Sequence, residues 1–483
     1  MKVKELLKGI SFKCENKKLL DIEVRDISFD SRNIKDDSAF IAYKGTYYDS
    51  HKDVQKLSQE EKIKLFITER KIEGVDSIVV EDGRKSLSLI CKNFFVSNCE
   101  FKVIGITGTN GKTTTLYLID HILNYVGLKT IRIGTVNYKV DDELFEADNT
   151  TPNPYDFYKY IGMGLNRGCK CVVTEVSSHA LDQDRIYGLK FDYAVFTNLS
   201  GDHLDYHQDL ESYFASKRKL FTEKYLKGVS VVNFDDDHSK KLINEQFDHI
   251  SYAIENKKAD VHIESYESSL SGSVFTVNLF GKTLAFKSML VGKHNIYNIL
   301  AAISVCSHFG IDSELLVKAI ESFENVPGRL EKISWEGRYF FVDYAHTDDA
   351  LRNVLESLLP FKNERIITVF GCGGDRDRTK RPRMGSVAEK YSDVVIITND
   401  NPRSEDPEKI IDDIVEGIND KRKILVIPDR REAIRKSIEI SKPGDIILVA
   451  GKGHEDYQLI NGIKYHFDDK EEILKCCGEY ERA

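Results

Sequence analysis

The stretch Gly105-Ile106-Thr107-Gly108-Thr109-Asn110-Gly111-Lys112-Thr113-Thr114 decides how the rest of the chain is read. A short apolar run at 101–106 leads into it. Leu116, Ile119, Ile122, Leu123 and Val126 follow at helical spacing, closed by Gly127. Strand, glycine-rich turn and helix, in that order, form the setting in which a loop wraps phosphate. Glycines let backbone N–H groups turn inward onto phosphate oxygens, the helix start adds partial positive charge, and Lys112 adds a full one. The Thr113 hydroxyl suits a phosphate-bound magnesium ion. The common spacing asks for glycine five residues before Gly111, where Ile106 stands, so this is a variant loop turning at Gly108. The competing reading is a glycine-rich turn that binds nothing; Gly-Lys-Thr at a strand–helix junction argues against it.

The chain around this loop has 483 residues, too many for one core, and the length suggests about three domains. Hydrophobic residues at 41 % supply real cores, and the net charge of −9 argues against general nucleic-acid binding. No apolar run approaches the ~18 residues of a membrane span. Residues 1–8 lack a signal-peptide core and read as a short surface helix. The nine cysteines are odd in number, scattered and without a C-x-x-C pair, which fits reduced thiols in a cytoplasm.

Taken in order, residues 1–98 read as a small N-terminal α/β domain. Asp30-Ser31-Arg32 follows an alternating segment. A strand at 39–42 leads to Lys44-Gly45-Thr46-Tyr47-Tyr48-Asp49, and further short strands are expected at 64–68 and 77–80. Alone, these turns carry no assigned chemistry. The central unit, 99–326, begins with the phosphate loop. A strand at 171–174 delivers Glu175, placed as a magnesium ligand would be, although an exposed strand-end carboxylate fits the spacing equally well. Past the strand at 193–197, Asp202, His203, Asp205 and His207 fit either a metal site or a solvated loop. By pattern alone Lys217, in Ser216-Lys217-Arg218-Lys219, is surface charge. Asn295 opens an apolar helix.

Val326-Pro327-Gly328-Arg329 marks the second boundary. Beyond it, 327–483 alternates strands at 340–342, 366–370, 394–398, 424–427 and 446–450 with helical patterns, a Rossmann-like α/β unit with a mostly parallel sheet. Four polar clusters follow its strands. In open α/β sheets ligands collect at strand carboxyl ends, so these clusters point to a second site.

The ordered set Thr107–Thr114, Glu175-Val176-Ser177-Ser178-His179, Thr197–His203, Gly292-Lys293-His294-Asn295, Pro327-Gly328-Arg329 and Asp343-Tyr344-Ala345-His346 resembles the Mur ligases. These are ATP-dependent amide-forming enzymes that build the peptide stem of peptidoglycan. Gly371-Cys372-Gly373-Gly374-Asp375-Arg376, Asp400-Asn401-Pro402-Arg403 and Gly451-Lys452-Gly453-His454-Glu455 resemble the members that add the third stem residue. Folylpolyglutamate synthases share the loop and the ligase chemistry, but not the clusters at Gly371 and Asp400.

The resemblance implies a central P-loop ATPase domain. It also implies ATP and Mg2+ as cofactors, UDP-N-acetylmuramoyl-L-alanyl-D-glutamate as acceptor, and meso-2,6-diaminopimelate as the added amino acid, with an L-lysine-adding counterpart as the alternative. It implies ATP contacts at Gly108, Thr109, Asn110, Gly111, Lys112, Thr113, Thr114, Asn295, Arg329 and Asp343. Uridine contacts fall on Ser31, Thr46, Tyr47 and Tyr48, and muramoyl-peptide contacts on Asn149, Thr150, Thr151, Ser177, Gln183 and Arg185. Arg376, Asp400, Asn401, Pro402, Arg403, Gly451 and Glu455 would hold diaminopimelate. Thr113 and Glu175 would ligate one magnesium ion, and His203 with a carbamylated Lys217 a second; Lys112, Lys217 and His203 would be catalytic. A cytoplasmic monomer is expected, with small-molecule partners, no nucleic acid and no membrane.

Overall fold

The computed structural model describes residues 1–46, 48–96, 100–201, 204–243 and 246–480. Among the described residues three large sheets carry the chain, each built around apolar runs too short for helices and bounded by turn residues, and a two-stranded hairpin pairs Tyr457–Ile460 with Ile463–His466.

The first sheet has five strands in the order Phe12–Cys14, Ser77–Val80, Ile63–Thr68, Ser38–Ile41, Asp26–Ser28. All neighbours are parallel except the first pair. The N-terminal helix, Val3–Leu6, is the short surface helix expected, with Lys4 and Glu5 exposed on one side while Val3 and Leu6 have no exposure and Leu7 has 2 %. Its apolar residues fall on one face and join an apolar cluster with Ile27, Leu87 and Ile90.

The second sheet has eleven strands. At its centre Lys102–Thr107 lies between Cys171–Glu175 and Phe191–Phe196, parallel to both. The helices Lys112–Tyr125 and Lys293–His308 share one apolar cluster with one face of this sheet. On the other face, Pro154–Asn166 belongs to a cluster that also takes in Val3, Leu6, Ile27, Ile67 and Ile90. The apolar core therefore runs without a break from the first sheet to the second. Tyr155 reinforces it by donating to Asp26 at 2.8 Å. Antiparallel wings extend the sheet at both ends, Asn137–Val140 with Glu143–Glu146 and Val261–Ser269 with Gly272–Leu279 and Lys282–Ser288.

The third sheet orders Glu331–Trp335, Arg338–Asp343, Ile446–Ala450, Ile366–Phe370, Val394–Ile397 and Ile424–Val426, parallel throughout except for the first pair. Helices cover both faces over two separate apolar clusters. Lys380–Tyr391 and Pro407–Val415 approach so closely that a Cβ at Gly417 would lie 1.8 Å from the Pro382 carbonyl oxygen. Gly417→Ala is accordingly expected to cost about 2 kcal/mol or more through a forced backbone shift, read as a lowered midpoint in denaturant unfolding. On the opposite face Arg430 is fully buried. It donates Nε and Nη2 to Asp469 at 2.7 Å each, and reaches the carbonyls of Ala450 at 3.0 Å and Asn399 at 3.4 Å.

The eight described cysteines are free thiols, as their spacing predicts. Among the described residues no helix is long and apolar enough to cross a membrane.

Candidate active site

The phosphate loop takes the form its glycines require. Gly108 adopts φ +143°, and a Cβ there would lie 1.9 Å from Thr197 Oγ1. Gly111 caps the helix at φ +84°, where a Cβ would lie 2.3 Å from Asn298 Oδ1. The loop is held against Asn198, which accepts from the Asn110 amide at 3.0 Å and whose carbonyl accepts from Thr109 at 2.9 Å. Asn295 is buried, and its Oδ1 accepts from Asn298 Nδ2 at 3.1 Å, so it stands behind the loop and steadies the residue that packs against Gly111.

Lys112 Nζ donates to the carbonyls of Gly108 at 3.0 Å and Thr109 at 2.7 Å. Lys217 Nζ donates to the same Gly108 carbonyl at 2.7 Å. This corrects the surface reading of Lys217, which has 1 % exposure. The helix Leu210–Arg218 places it one turn past Tyr213, over whose ring the amine sits at 4.3 Å. Two amines thus converge on one carbonyl oxygen of the loop.

Glu175 closes its strand with no exposure, which removes the exposed-carboxylate reading. Its oxygens accept from the Thr135 amide at 2.8 Å and the Thr135 hydroxyl at 3.0 Å. A buried carboxylate held by neutral donors, close to the Thr113 hydroxyl's loop, offers hard oxygen ligands that fit magnesium. His203 and Tyr47 lie outside the described residues. His207 is buried, with Nε2 at 2.9 Å from Ser178 Oγ. Among the described residues no group of three or more His, Cys, Asp or Glu side chains is placed to hold a metal ion.

The third sheet reaches into the same place. Arg329 Nη2 donates to Thr113 Oγ1 at 3.4 Å, and its guanidinium packs 4.7 Å from the Tyr344 ring centre. Asp343 accepts from the amides of Leu330 at 2.7 Å and Ala345 at 2.8 Å, fixing the turn that aims Arg329. Burial pushes the Asp343 carboxyl up against the pull of Arg329. Burial, with the Arg329 charge, pushes the His454 imidazole down to about 3.

A second cluster lies at the carboxyl ends of the third sheet's strands. Lys452, fully buried, donates to Asp400 Oδ1 and Asn401 Oδ1 at 3.1 Å each. Burial alone would raise the Asp400 carboxyl, but Lys452 and Arg430 hold it below its usual range. Asn401 donates to Glu455 at 2.7 Å. Burial and the neighbouring Asp400 push the Glu455 carboxyl up, so it gains from a cation. Gly451 adopts φ +114°, with its amide on the Asp343 carbonyl at 3.0 Å. Arg403 does not pair with Glu405, which Arg381 holds at 2.9 Å. Its Nη1 donates to the Gly374 carbonyl at 2.7 Å, from a backbone at φ +54° that non-glycine residues rarely adopt. Pro402, the preceding residue, is buried, and Arg376 is exposed.

A cavity of about 200 Å³ joins the first two sheets, lined among others by Tyr43, Thr46, Arg84, Asn149, Gln183 and Arg185. It gathers one uridine expectation and three muramoyl-peptide expectations. Ser31 and Tyr48 do not line it; Tyr48 is exposed and donates to Asp53 at 2.7 Å. Thr151 has no exposure, and its hydroxyl donates to the Glu175 carbonyl at 2.9 Å. Ser177 caps the helix Ser178–Asp182, and Thr150 sits 3.1 Å from the Thr135 hydroxyl. Arg84, Thr135 and Asn298 escape sequence reading because each is a common residue type with no pattern of its own, and Lys452, inside a quoted motif, is given no role there.

Comparison with known proteins gives three findings. A family model described as Mur ligase middle domain matches residues 106–306, and one described as Mur ligase, glutamate ligase domain matches 328–453. Proteins named UDP-N-acetylmuramoyl-L-alanyl-D-glutamate–2,6-diaminopimelate ligase are similar over nearly the full length. That of Aquifex aeolicus is 43 % identical, covering 94 % of each chain, and that of Fusobacterium nucleatum subsp. nucleatum is 41 % identical, covering 96 % of each. A solved structure with the same enzyme name superimposes with a TM-score of 0.73 at 32 % identity, covering 100 % of both chains.

Proposed function

The chain belongs to the Mur ligase family, and from that premise we propose the reaction it performs. It joins meso-2,6-diaminopimelate to UDP-N-acetylmuramoyl-L-alanyl-D-glutamate at the expense of ATP, in peptidoglycan precursor synthesis. The observation that carries this reading is the meeting of the phosphate loop with Arg329 at Thr113, alongside the Arg403–Glu455 cluster. One side of the molecule can hold a triphosphate and the other an amino acid with charges at both ends.

In this reading residues 1–98 bind the uridine nucleotide, 99–326 bind ATP and the peptide, and 327–483 bind the amino acid. The acceptor carboxylate attacks the γ-phosphate, an acyl phosphate forms and ADP leaves. The diaminopimelate amine then attacks the acyl carbon and phosphate departs. A carboxylate and a triphosphate repel each other, so cations must hold them in line. Lys112 turns from its two loop carbonyls onto the β- and γ-phosphates, and Arg329 adds charge from the third sheet. Thr113 and Glu175 would hold a magnesium ion, which supplies further neutralisation of phosphate charge. Asn401 orients Glu455 toward the distal ammonium, and Arg403 offers its guanidinium to the distal carboxylate. The reading places the enzyme in the cytoplasm as a monomer.

Lys217 is proposed to be carbamylated. Two ammonium groups on the Gly108 carbonyl repel; a carbamate at Lys217 turns that repulsion into attraction for Lys112 and supplies an oxygen ligand. Intact-protein mass under ambient CO2 is expected to show an added mass of about 44 Da, that of CO2. An unmodified Lys217 in active enzyme would refute this. ADP release measured with and without the acceptor and diaminopimelate tests the whole reading: release is expected to require the acceptor and to yield amide only when both are present.

A further inference from the structure

Two guanidinium groups line the cavity between the first two sheets, and among the described residues no carboxylate pairs with either. Arg84 stands in the first turn of the helix Gly83–Phe95. Gly83 makes that placement possible: a Cβ there would lie 2.4 Å from the Tyr43 Cβ, so only glycine lets the helix start press against the cavity wall. Arg84 Nη2 donates to the Thr46 hydroxyl at 3.2 Å. Arg185 donates to Gln183 Oε1 from Nε at 3.1 Å and Nη2 at 2.9 Å, and to the Thr151 carbonyl at 2.7 Å. Every one of these partners is neutral.

The acidic groups nearby are committed elsewhere. Glu69 accepts the amides of Lys44 at 2.9 Å and Gly83 at 2.8 Å. Asp82 pairs with Lys85, Asp30 with Arg32, and Asp182 with Lys219. Burial first, and the Arg84 charge with it, holds the Arg185 guanidinium below its usual value. Two like charges facing one cavity favour a ligand that brings the opposite charge. Paired guanidiniums present parallel N–H forks that match phosphate oxygens.

We propose that Arg84 acts with Arg185 as the guanidinium pair that grips the diphosphate of the acceptor substrate. This rests on the acceptor reading. The diphosphate is the chemical link between uridine and sugar, and the cavity lies between the Thr46 side and the side carrying Asn149, Gln183 and Arg185. The cavity, of about 200 Å³, lies where that link would run.

The test is calorimetric binding of UDP, UMP and uridine to the intact enzyme, Arg84→Ala and Arg84→Lys, with steady-state kinetics on each. Loss of charge-assisted hydrogen bonds is expected to weaken UDP binding by about 10- to 100-fold in Arg84→Ala, with a smaller loss in Arg84→Lys. Uridine binding is expected to stay within about twofold, and KM for the acceptor to rise far more than kcat falls. Equal weakening of uridine and UDP would overturn the proposal as a general loss of shape. A raised acceptor KM with UDP binding unchanged would overturn it in favour of a peptide carboxylate. If the unaltered enzyme neither binds UDP nor ligates, the acceptor reading itself fails. If it does both and Arg84→Ala matches it, only the role of Arg84 fails.

Discussion

Replacing Lys112 by alanine is expected to abolish ligation, lowering kcat by about 10³-fold or more. The fold should survive. Lys112 is half-buried and its Nζ donates to carbonyl oxygens of its own loop, so its loss opens no cavity in the core. The helix behind it stands on Leu116, Ile119, Ile122 and Leu123, all without exposure. What disappears is the point charge that follows the γ-phosphate as negative charge moves toward the leaving ADP. ADP release and amide formation, measured beside a thermal unfolding curve, check this. A folded Lys112→Ala enzyme with ordinary turnover would end the assignment of the loop.

The second large effect concerns the choice of amino acid. Diaminopimelate and L-lysine share one end and differ by a carboxylate at the other. Arg403 is held on a left-handed backbone, its amide on the Leu459 carbonyl at 2.9 Å and its own carbonyl accepting from Asn461 at 2.7 Å. A non-glycine residue kept there by hydrogen bonds on both sides is a side chain aimed at a cost. Lysine would enter without the group that Arg403 is aimed at, leaving a desolvated guanidinium unanswered. Discrimination of about 10²- to 10³-fold in kcat/KM is expected, collapsing in Arg403→Ala mainly through poorer use of diaminopimelate. A competition assay with both amino acids, the acceptor and ATP decides it. Equal incorporation by the unaltered enzyme, or an unchanged preference in Arg403→Ala, would overturn the assignment.

Much of this is legible in the sequence alone, for physical reasons. Central parallel strands such as Ile366–Phe370 and Ile446–Ala450 are buried on both faces, so they read as unbroken apolar runs ending where polar clusters begin. The phosphate loop reads itself, because phosphate binding constrains glycine, lysine and threonine to neighbouring positions. The antiparallel wings are harder to read. From Ser273 to Leu279 buried positions alternate with exposed or half-exposed ones, and the strand's pairing depends on partners that no local pattern names. Lys217 misleads for a related reason: charge suggests solvent, and only the packing of its helix against the loop turns it inward. Arg84 gives no signal at all, since its meaning comes from Arg185, far along the chain and brought near only by the core shared between two sheets.

Arg430 has a consequence for the order in which the molecule becomes competent. Its guanidinium is entirely enclosed and reaches the carbonyls of Asn399 and Ala450, one residue before each of the segments that begin at Asp400 and Gly451. Its countercharge, Asp469, opens the helix Asp469–Tyr480. An enclosed arginine without that partner would cost about 3–5 kcal/mol, so the segments cannot settle around it alone. Synthesis on the ribosome runs from the N-terminus, and domains fold as they emerge. The first two sheets, with the phosphate loop, can therefore take shape while the amino-acid pocket still waits for Asp469 to be made.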